Sequence, residues 1–258
     1  EPYGVDQLYV YGIDEHSIDS DENRDQMEAL HDGGGLVFNS QTPTLAMSVV
    51  DVLDVAVISY DPVASVAAAY HHPLGHKVYS YANPQIGIEQ PYTYRRNYGL
   101  LLWQRDFDGA MDFAYHYAFN HVWNDFDDPT YRDHNFVYPT ANGVIDTVQW
   151  EGFREAVDDV RYVATLQALV DGDVSGDADS AANLLLRLKR GGADELEDLD
   201  AVRDALIEQI LYLQGDGPEP AFVTVCGNGV KDEGESCDDD DLGAADCTDF
   251  GYDAGTLA

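Results

Sequence analysis

Leu8-Tyr9-Val10-Tyr11-Gly12-Ile13-Asp14-Glu15 decides how this chain is read: a short run of strand character that ends on two adjacent acids. The apolar part reads as a buried strand, and the polar stretch from Ser20 to His31 reads as a helix with Met27 and Leu30 on its inner face. Gly33-Gly34-Gly35 stops that helix before a second strand, Leu36-Val37-Phe38-Asn39. The rhythm repeats. A short helix from Thr44 to Asp51 precedes the strand Val55-Ala56-Val57-Ile58, and a helix opened by Pro62 runs to about His71. Lys77 to Tyr81 is a fourth strand, Tyr92 to Gln104 a helix, and Gly109 to Tyr115 a last strand. Five strand-then-helix steps predict a parallel α/β sheet, with apolar strands covered on both faces.

Residues 116–149 then read as a loop dense in aromatics and acids, and Trp150 to Val170 as a long amphipathic helix. Asp171 to Ser180 is a polar linker, followed by helices at about 181–190 and 198–213. Gly215-Asp216-Gly217-Pro218-Glu219-Pro220 marks the boundary to a tail that holds all three cysteines, Cys226, Cys237 and Cys247.

Charge narrows the partners. The 258 residues carry 13 Lys and Arg against 49 Asp and Glu, a formal net charge of −36. Nucleic acid is excluded as a partner, because phosphates are bound by clustered cations and the clustered bases here are no more than Arg95-Arg96 and a looser trio at Arg187, Lys189 and Arg190. An anionic membrane surface is repelled for the same reason, and no apolar stretch approaches the roughly 20 residues of a membrane helix. Seventeen Tyr and nine Phe supply ample material for a core. Most of the acids read as a solvated surface suited to a saline, extracellular setting.

Asp14 and Glu15 stand where a parallel strand runs out into its loop, the position from which catalytic groups project in parallel barrels. Two carboxylates there can divide glycosidic cleavage, one ionised and one with a raised pKa that donates a proton. They can equally cap the following helix. The expected pocket lining is Tyr79, Tyr81 and Asn83 at the end of the fourth strand, Tyr115 and His116 at the end of the last, and Trp123 in the loop after it. Aromatic faces stack on the C–H faces of sugars, and Asn, His and Tyr edges meet hydroxyls.

Other clusters have plainer readings. Glu151, Arg154, Glu155, Asp158 and Arg161 fall at helical i, i+3 and i+4 spacings, which ion pairs along one helix explain. Asp171, Asp173, Ser175, Gly176, Asp177 and Asp179 approach a calcium loop, but Ala182 stands where its bidentate Glu belongs. His71, His72 and His76 lack a carboxylate or thiol at ligand spacing. No metal site is expected and no cofactor is required, with calcium only weakly supported.

Tyr11 to Glu15, the Tyr79 to Pro84 strand end, Arg95-Arg96-Asn97-Tyr98-Gly99 with Trp103 and Asp108-Gly109, and Trp150-Glu151-Gly152-Phe153-Arg154-Glu155 with Asp158-Asp159 and Arg161-Tyr162 together resemble the catalytic domain of glycoside hydrolase family 123. The resemblance spans about residues 5–213. It implies a (β/α)8 barrel acting on β-linked N-acetylgalactosamine with the sugar's own 2-acetamido oxygen as nucleophile. Glu15 is then the general acid/base, and Asp14 orients and stabilises the acetamido group; an ionised Asp14 would itself raise the Glu15 pKa. If residues 8–13 form the fourth barrel strand, the chain holds strands four to eight and is the C-terminal part of a longer protein.

The tail from Cys226 to Ala258 resembles short myxobacterial-type cysteine-rich repeats of secreted and surface proteins. In those repeats a further Cys follows the position of Ala258, which implies disulfides and export.

The expected architecture is therefore residues 1–170 as a partial barrel domain, 171–214 as a helical extension, and 215–258 as linker and truncated repeat. The expected function is an extracellular or cell-surface glycosidase cleaving terminal β-linked N-acetylhexosamine from a glycan, without membrane insertion. Its alternatives are a non-catalytic carbohydrate-binding or cell-surface protein on a degenerate barrel, and an extracellular scaffold whose tail carries the function.

Overall fold

The computed structural model describes residues 7–12, 14, 20–59, 65–173, 176–191 and 193–223. Glu15, Pro62 at the expected start of a helix, and the three cysteines Cys226, Cys237 and Cys247 lie outside the described residues, while that expected helix is described from Ser65 to His71. The chain divides into two compact units, Glu1–Asp158 and Asp159–Ala258.

The first unit alternates strand and helix: β1 (Tyr9–Tyr11), α1 (Ser20–Asp32), β2 (Leu36–Gln41), α2 (Pro43–Ser48), β3 (Val55–Ser59), α3 (Ser65–His71), β4 (Lys77–Tyr81), α4 (Pro91–Asn97), α5 (Leu100–Gln104) and β5 (Gly109–Ala110). The five strands form one sheet in the order β1-β2-β3-β4-β5, every neighbouring pair parallel. The α/β fold with a parallel sheet is the one expected from the repeating strand-then-helix pattern.

Alternation along each strand sends successive side chains to opposite faces. Val37, Ala56, Ile58 and Val78 share one face, where they pack with Met27, Ala46, Ala67, Tyr94, Leu102 and Ala156 from the helices. Tyr11, Phe38, Ser40, Val57 and Tyr81 belong to the other. Register aligns them: Tyr11 lies opposite Phe38, Ser40 opposite Val57, and Val57 opposite Tyr79. Only β3 is buried along its whole length, and β1 is largely exposed, so cover on both faces holds for the central strand alone.

Acids fix the N-terminal edge of the sheet. Asp54, just before β3, accepts the Val37 N–H of β2 at 2.6 Å, and Asp108, just before β5, accepts the Val78 N–H of β4 at 2.8 Å. His31 and His72 complete these caps at 2.7 and 3.1 Å.

Three expectations are corrected. The helix expected over 92–104 is two, α4 and α5, broken at Tyr98-Gly99. A Cβ on Gly99 would lie 2.6 Å from the Arg95 carbonyl and 3.0 Å from that of Ala156, so the backbone approach leaves no room for a side chain. The strand expected over 109–115 ends at Ala110, because the Asp112 side chain accepts the Ala82 N–H at 2.8 Å where a ladder carbonyl would stand. The loop expected over 116–149 contains two antiparallel ribbons, β6 (His116–Tyr117) with β7 (His134–Asn135), and β8 (Val137–Thr140) with β9 (Gly143–Asp146).

The helix α6 (Val148–Gly172) begins in the first unit. There Arg154 pairs with Glu151, Glu155 and Asp158, the ion pairing expected from the spacing. The second unit holds the rest of α6, α7 (Asp179–Arg190) and α8 (Leu199–Gln214). Leu184, Leu188, Leu199 and Leu206 are among its buried aliphatics, and Asp159, itself buried, receives the Arg203 guanidinium at 2.6 Å. Such a buried charge is tolerated only with its partner in place. Among the described residues no helix is long and apolar enough to cross a membrane.

Candidate functional site

The strands' C-terminal ends open onto a cavity of about 390 Å³ lined by Tyr11, Asp14, Phe38, Ser40, Val57, Tyr81, Met111, Asp112 and Phe113. Each of the five strands or the residues just beyond it contributes, which is how parallel α/β sheets build ligand sites. Tyr11 and Phe38 meet edge to face with centroids 4.9 Å apart. The Tyr11 hydroxyl donates a short hydrogen bond to Asp14 Oδ1, so the first acid of the expected pair is held at the rim of this cavity by the last residue of β1.

Ser40 is 93% buried and its Oγ has no protein partner among the described residues. A buried hydroxyl without a partner is costly, and one that lines a cavity is available to a ligand or to water.

Asp112 is the carboxyl that the sequence reading missed. Its Oδ1 accepts the N–H groups of Ala82 at 2.8 Å and Phe113 at 3.1 Å, and its Oδ2 lies 2.6 Å from the Tyr98 hydroxyl. Burial pushes the carboxyl up to about 7 against the pull of these donors. Counting protons leads to the same state. The Tyr98 hydroxyl accepts the Asn83 N–H at 2.7 Å and faces two acceptors, Asp112 Oδ2 and the Pro84 carbonyl at 2.7 Å, with a single proton to give. A proton on Asp112 donated to Tyr98 Oη frees the Tyr98 proton for Pro84 and satisfies all three groups. The same network secures Ala82, whose φ of 51° lies in the left-handed region and costs roughly 1–2 kcal/mol in a residue with a Cβ.

The residues expected to line the pocket separate. Tyr81 joins Asp14 in the cavity wall. Tyr79 lies on the same sheet face but deeper, its ring close beneath Gly109. Asn83 is buried away from the cavity, its Oδ1 accepting from Asn97 at 3.1 Å. Tyr115 meets Trp150 edge to face at 5.8 Å, His116 sits exposed in β6, and Trp123 stacks on Tyr138 at 5.4 Å. None of these last three lines the cavity. Phe38 and Val57 were legible only as strand residues, and Ser40 lay just past the expected strand, which runs on to Gln41; their parity with Tyr11 emerges once the register is known.

Among the described residues no group of three or more His, Cys, Asp or Glu is placed to hold a metal ion. His71, His72 and His76 illustrate this: His72 caps with Asp108, His76 lies 3.8 Å from Asp54, and His71 is enclosed in the core.

Comparison with curated proteins finds no match. Comparison with protein families matches residues 21–166 to the glycoside hydrolase 123 catalytic domain. The matched span begins after Asp14 and Glu15 and includes Phe38, Ser40, Val57, Tyr81 and Asp112. It covers more than half of the chain, and the chain belongs to the glycoside hydrolase 123 catalytic-domain family.

Proposed function

We propose that this glycosidase domain removes terminal β-linked N-acetylhexosamine, with N-acetylgalactosamine favoured, by a retaining, substrate-assisted mechanism. The carrying observation is that Asp14, at the end of β1, shares one cavity with the ends of the other four strands. The consecutive, all-parallel strand order with the helices gathered on one face supports a further reading, that β1 to β5 are strands four to eight of a (β/α)8 barrel.

In this mechanism the acetamido carbonyl oxygen attacks C1 as the C1–O bond to the leaving group breaks. Glu15 gives its proton to the departing oxygen. Asp14 accepts the acetamido N–H and stabilises the positive charge that spreads over the oxazolinium ring. Glu15, now a carboxylate, takes a proton from water as that water adds to C1 and the ring opens, which restores the acid and retains the anomeric configuration. Below about pH 7 a protonated Asp112 spares the pocket a further negative charge. The steps as written require no metal or cofactor. The acidic surface and the resemblance of the Cys226 to Ala258 tail to secreted repeats support an extracellular or cell-surface location, with a glycan as the partner.

The test is hydrolysis of aryl β-N-acetylgalactosaminide and β-N-acetylglucosaminide. Glu15→Gln is expected to lower kcat by about 100-fold or more, in keeping with loss of a general acid. Undiminished turnover in Glu15→Gln would remove the assignment.

A further inference from the structure

Asp112 ties the end of β4 to the end of β5 beside the strand-end cavity. Its Oδ1 accepts the N–H of Ala82, the first residue after β4, and that of Phe113, and the adjoining Tyr81 and Phe113 side chains are cavity walls. We propose that Asp112 is a positioning residue that works as a proton-operated clamp: protonated, it secures the Ala82 to Pro84 turn that presents Tyr81 to the substrate, and ionised it frees the Pro84 side of that turn. The clamp stands on its own geometry, whereas its effect on turnover rests on the glycosidase reading above.

Helix α4 grips the same turn from the other side. Tyr94, Asn97 and Tyr98 share one helix face by their i, i+3 and i+4 spacing. Tyr94 donates to the Gln85 carbonyl at 2.9 Å, Asn97 to Asn83 Oδ1 at 3.1 Å, and Tyr98 to the Pro84 carbonyl at 2.7 Å while accepting the Asn83 N–H. The Tyr98 proton alone is contested, because Asp112 Oδ2 stands 2.6 Å away. While Asp112 carries its own proton it donates to Tyr98, and the Tyr98 proton stays with Pro84. Once Asp112 ionises, the carboxylate outcompetes the neutral carbonyl for that proton, since hydrogen bonds to a charged acceptor are roughly twice as strong. The turn, which contains the left-handed Ala82, then loses its anchor at Pro84.

The surroundings put this exchange near neutrality. Tyr11 and Asp14 face Asp112 across the cavity from the end of β1, Tyr81 from β4, and Tyr94 and Tyr98 from α4. Among the described residues no Lys, Arg or His lines the cavity, so no cation there favours the ionised carboxyl, and Asp14 is a further acid of the same cavity. Burial raises Asp112 to about 7 against the pull of Tyr98, Ala82 and Phe113. The clamp is therefore closed below about pH 7 and open above it.

Asp112→Asn fixes the closed state, because its Oδ1 still accepts from Ala82 and Phe113 and its Nδ2 donates to Tyr98 at every pH. Asp112→Ala removes the clamp, and circular dichroism checks the folding of both variants. The first measurement needs no substrate: hydrogen-exchange protection over Tyr81 to Gln85, corrected for the intrinsic pH dependence of exchange. Protection is expected to fall about 3- to 10-fold in the native protein as pH rises through 7, to stay level in Asp112→Asn, and to be low throughout in Asp112→Ala. The second is kcat/KM for dinitrophenyl β-N-acetylgalactosaminide, whose leaving group departs without a proton, so that ionisation of Glu15 does not enter. It is expected to fall by a similar factor over the same range, through KM more than kcat, and this fall is expected to vanish in Asp112→Asn. Protection that does not change with pH in the native protein, or a fall that persists in Asp112→Asn, would overturn the clamp. Level turnover beside pH-dependent protection would overturn the positioning role. Absence of turnover at every pH would instead remove the glycosidase reading, while hydrogen exchange still decides the clamp.

Discussion

Asp112, part-buried in the cavity wall, and His71, buried in the core, titrate against each other. Burial holds the Asp112 carboxyl at about 7, above its ordinary 3.8, and burial together with His76 holds the His71 imidazole at about 4, below its ordinary 6.5. Between pH 4 and 7 the native state keeps a proton on Asp112 that the unfolded chain has released, so this group makes stability fall as pH rises. Between pH 4 and 6.5 the unfolded chain binds a proton at His71 that the native state refuses, so this group makes stability rise with pH. The slopes oppose, and denaturant unfolding is expected to vary little with pH from these two groups over that window. Asp112→Asn should expose the rising limb and His71→Leu the falling one. Equal pH dependence in both variants would contradict the assignment.

At the scale of elements, two glycines of α6 have opposite roles: Gly152 sets how closely the helix approaches a neighbour, and Gly172 does not. A Cβ on Gly152 would lie 2.1 Å from the Pro91 carbonyl oxygen and 2.7 Å from Pro91 Cα, both backbone atoms that cannot swing aside. Gly152→Ala is therefore expected to destabilise the protein by about 1–3 kcal/mol, as overpacking does. Gly172, at the other end of the same helix, has open space where its Cβ would stand, and Gly172→Ala should instead stabilise by up to about 1 kcal/mol. Opposite signs in thermal melts of the two variants separate packing from propensity. The sequence made Trp150 to Val170 visible as a helix through its periodicity. It did not show why Gly152 sits within it, because the reason is the backbone at the start of α4, 61 residues earlier in the chain.

For the whole molecule, a net charge of −36 means that folding concentrates negative charge. Self-repulsion of this kind is screened by salt. The melting temperature is therefore expected to rise steadily as sodium chloride increases from 0.05 to about 1 M, where the Debye length shrinks to about 3 Å. A flat or falling profile would mean that ion pairs such as Arg24 with Asp51 and Arg132 with Glu89 outweigh the repulsion.

Local pattern determined the strand-helix alternation, the parallel class of the sheet, the inward face of α1 at Met27 and Leu30, and the ion pairing around Arg154, since each depends on neighbours a few residues apart. Tertiary structure decided which strand ends meet. Asp14, Ser40, Tyr81 and Asp112 are separated by 26, 41 and 31 residues in the chain and line one cavity, because parallel pairing and alternation turn Ser40 and Tyr81 to one face while Asp14 and Asp112 stand just beyond the ends of β1 and β5. It also decided where aromatic residues go. Tyr115 and Trp123 pack against Trp150 and Tyr138, while Phe113, Tyr117 and Tyr131 form an open ring chain, a division that composition alone does not contain because every aromatic carries the same drive to bury and only packing determines which faces stay exposed.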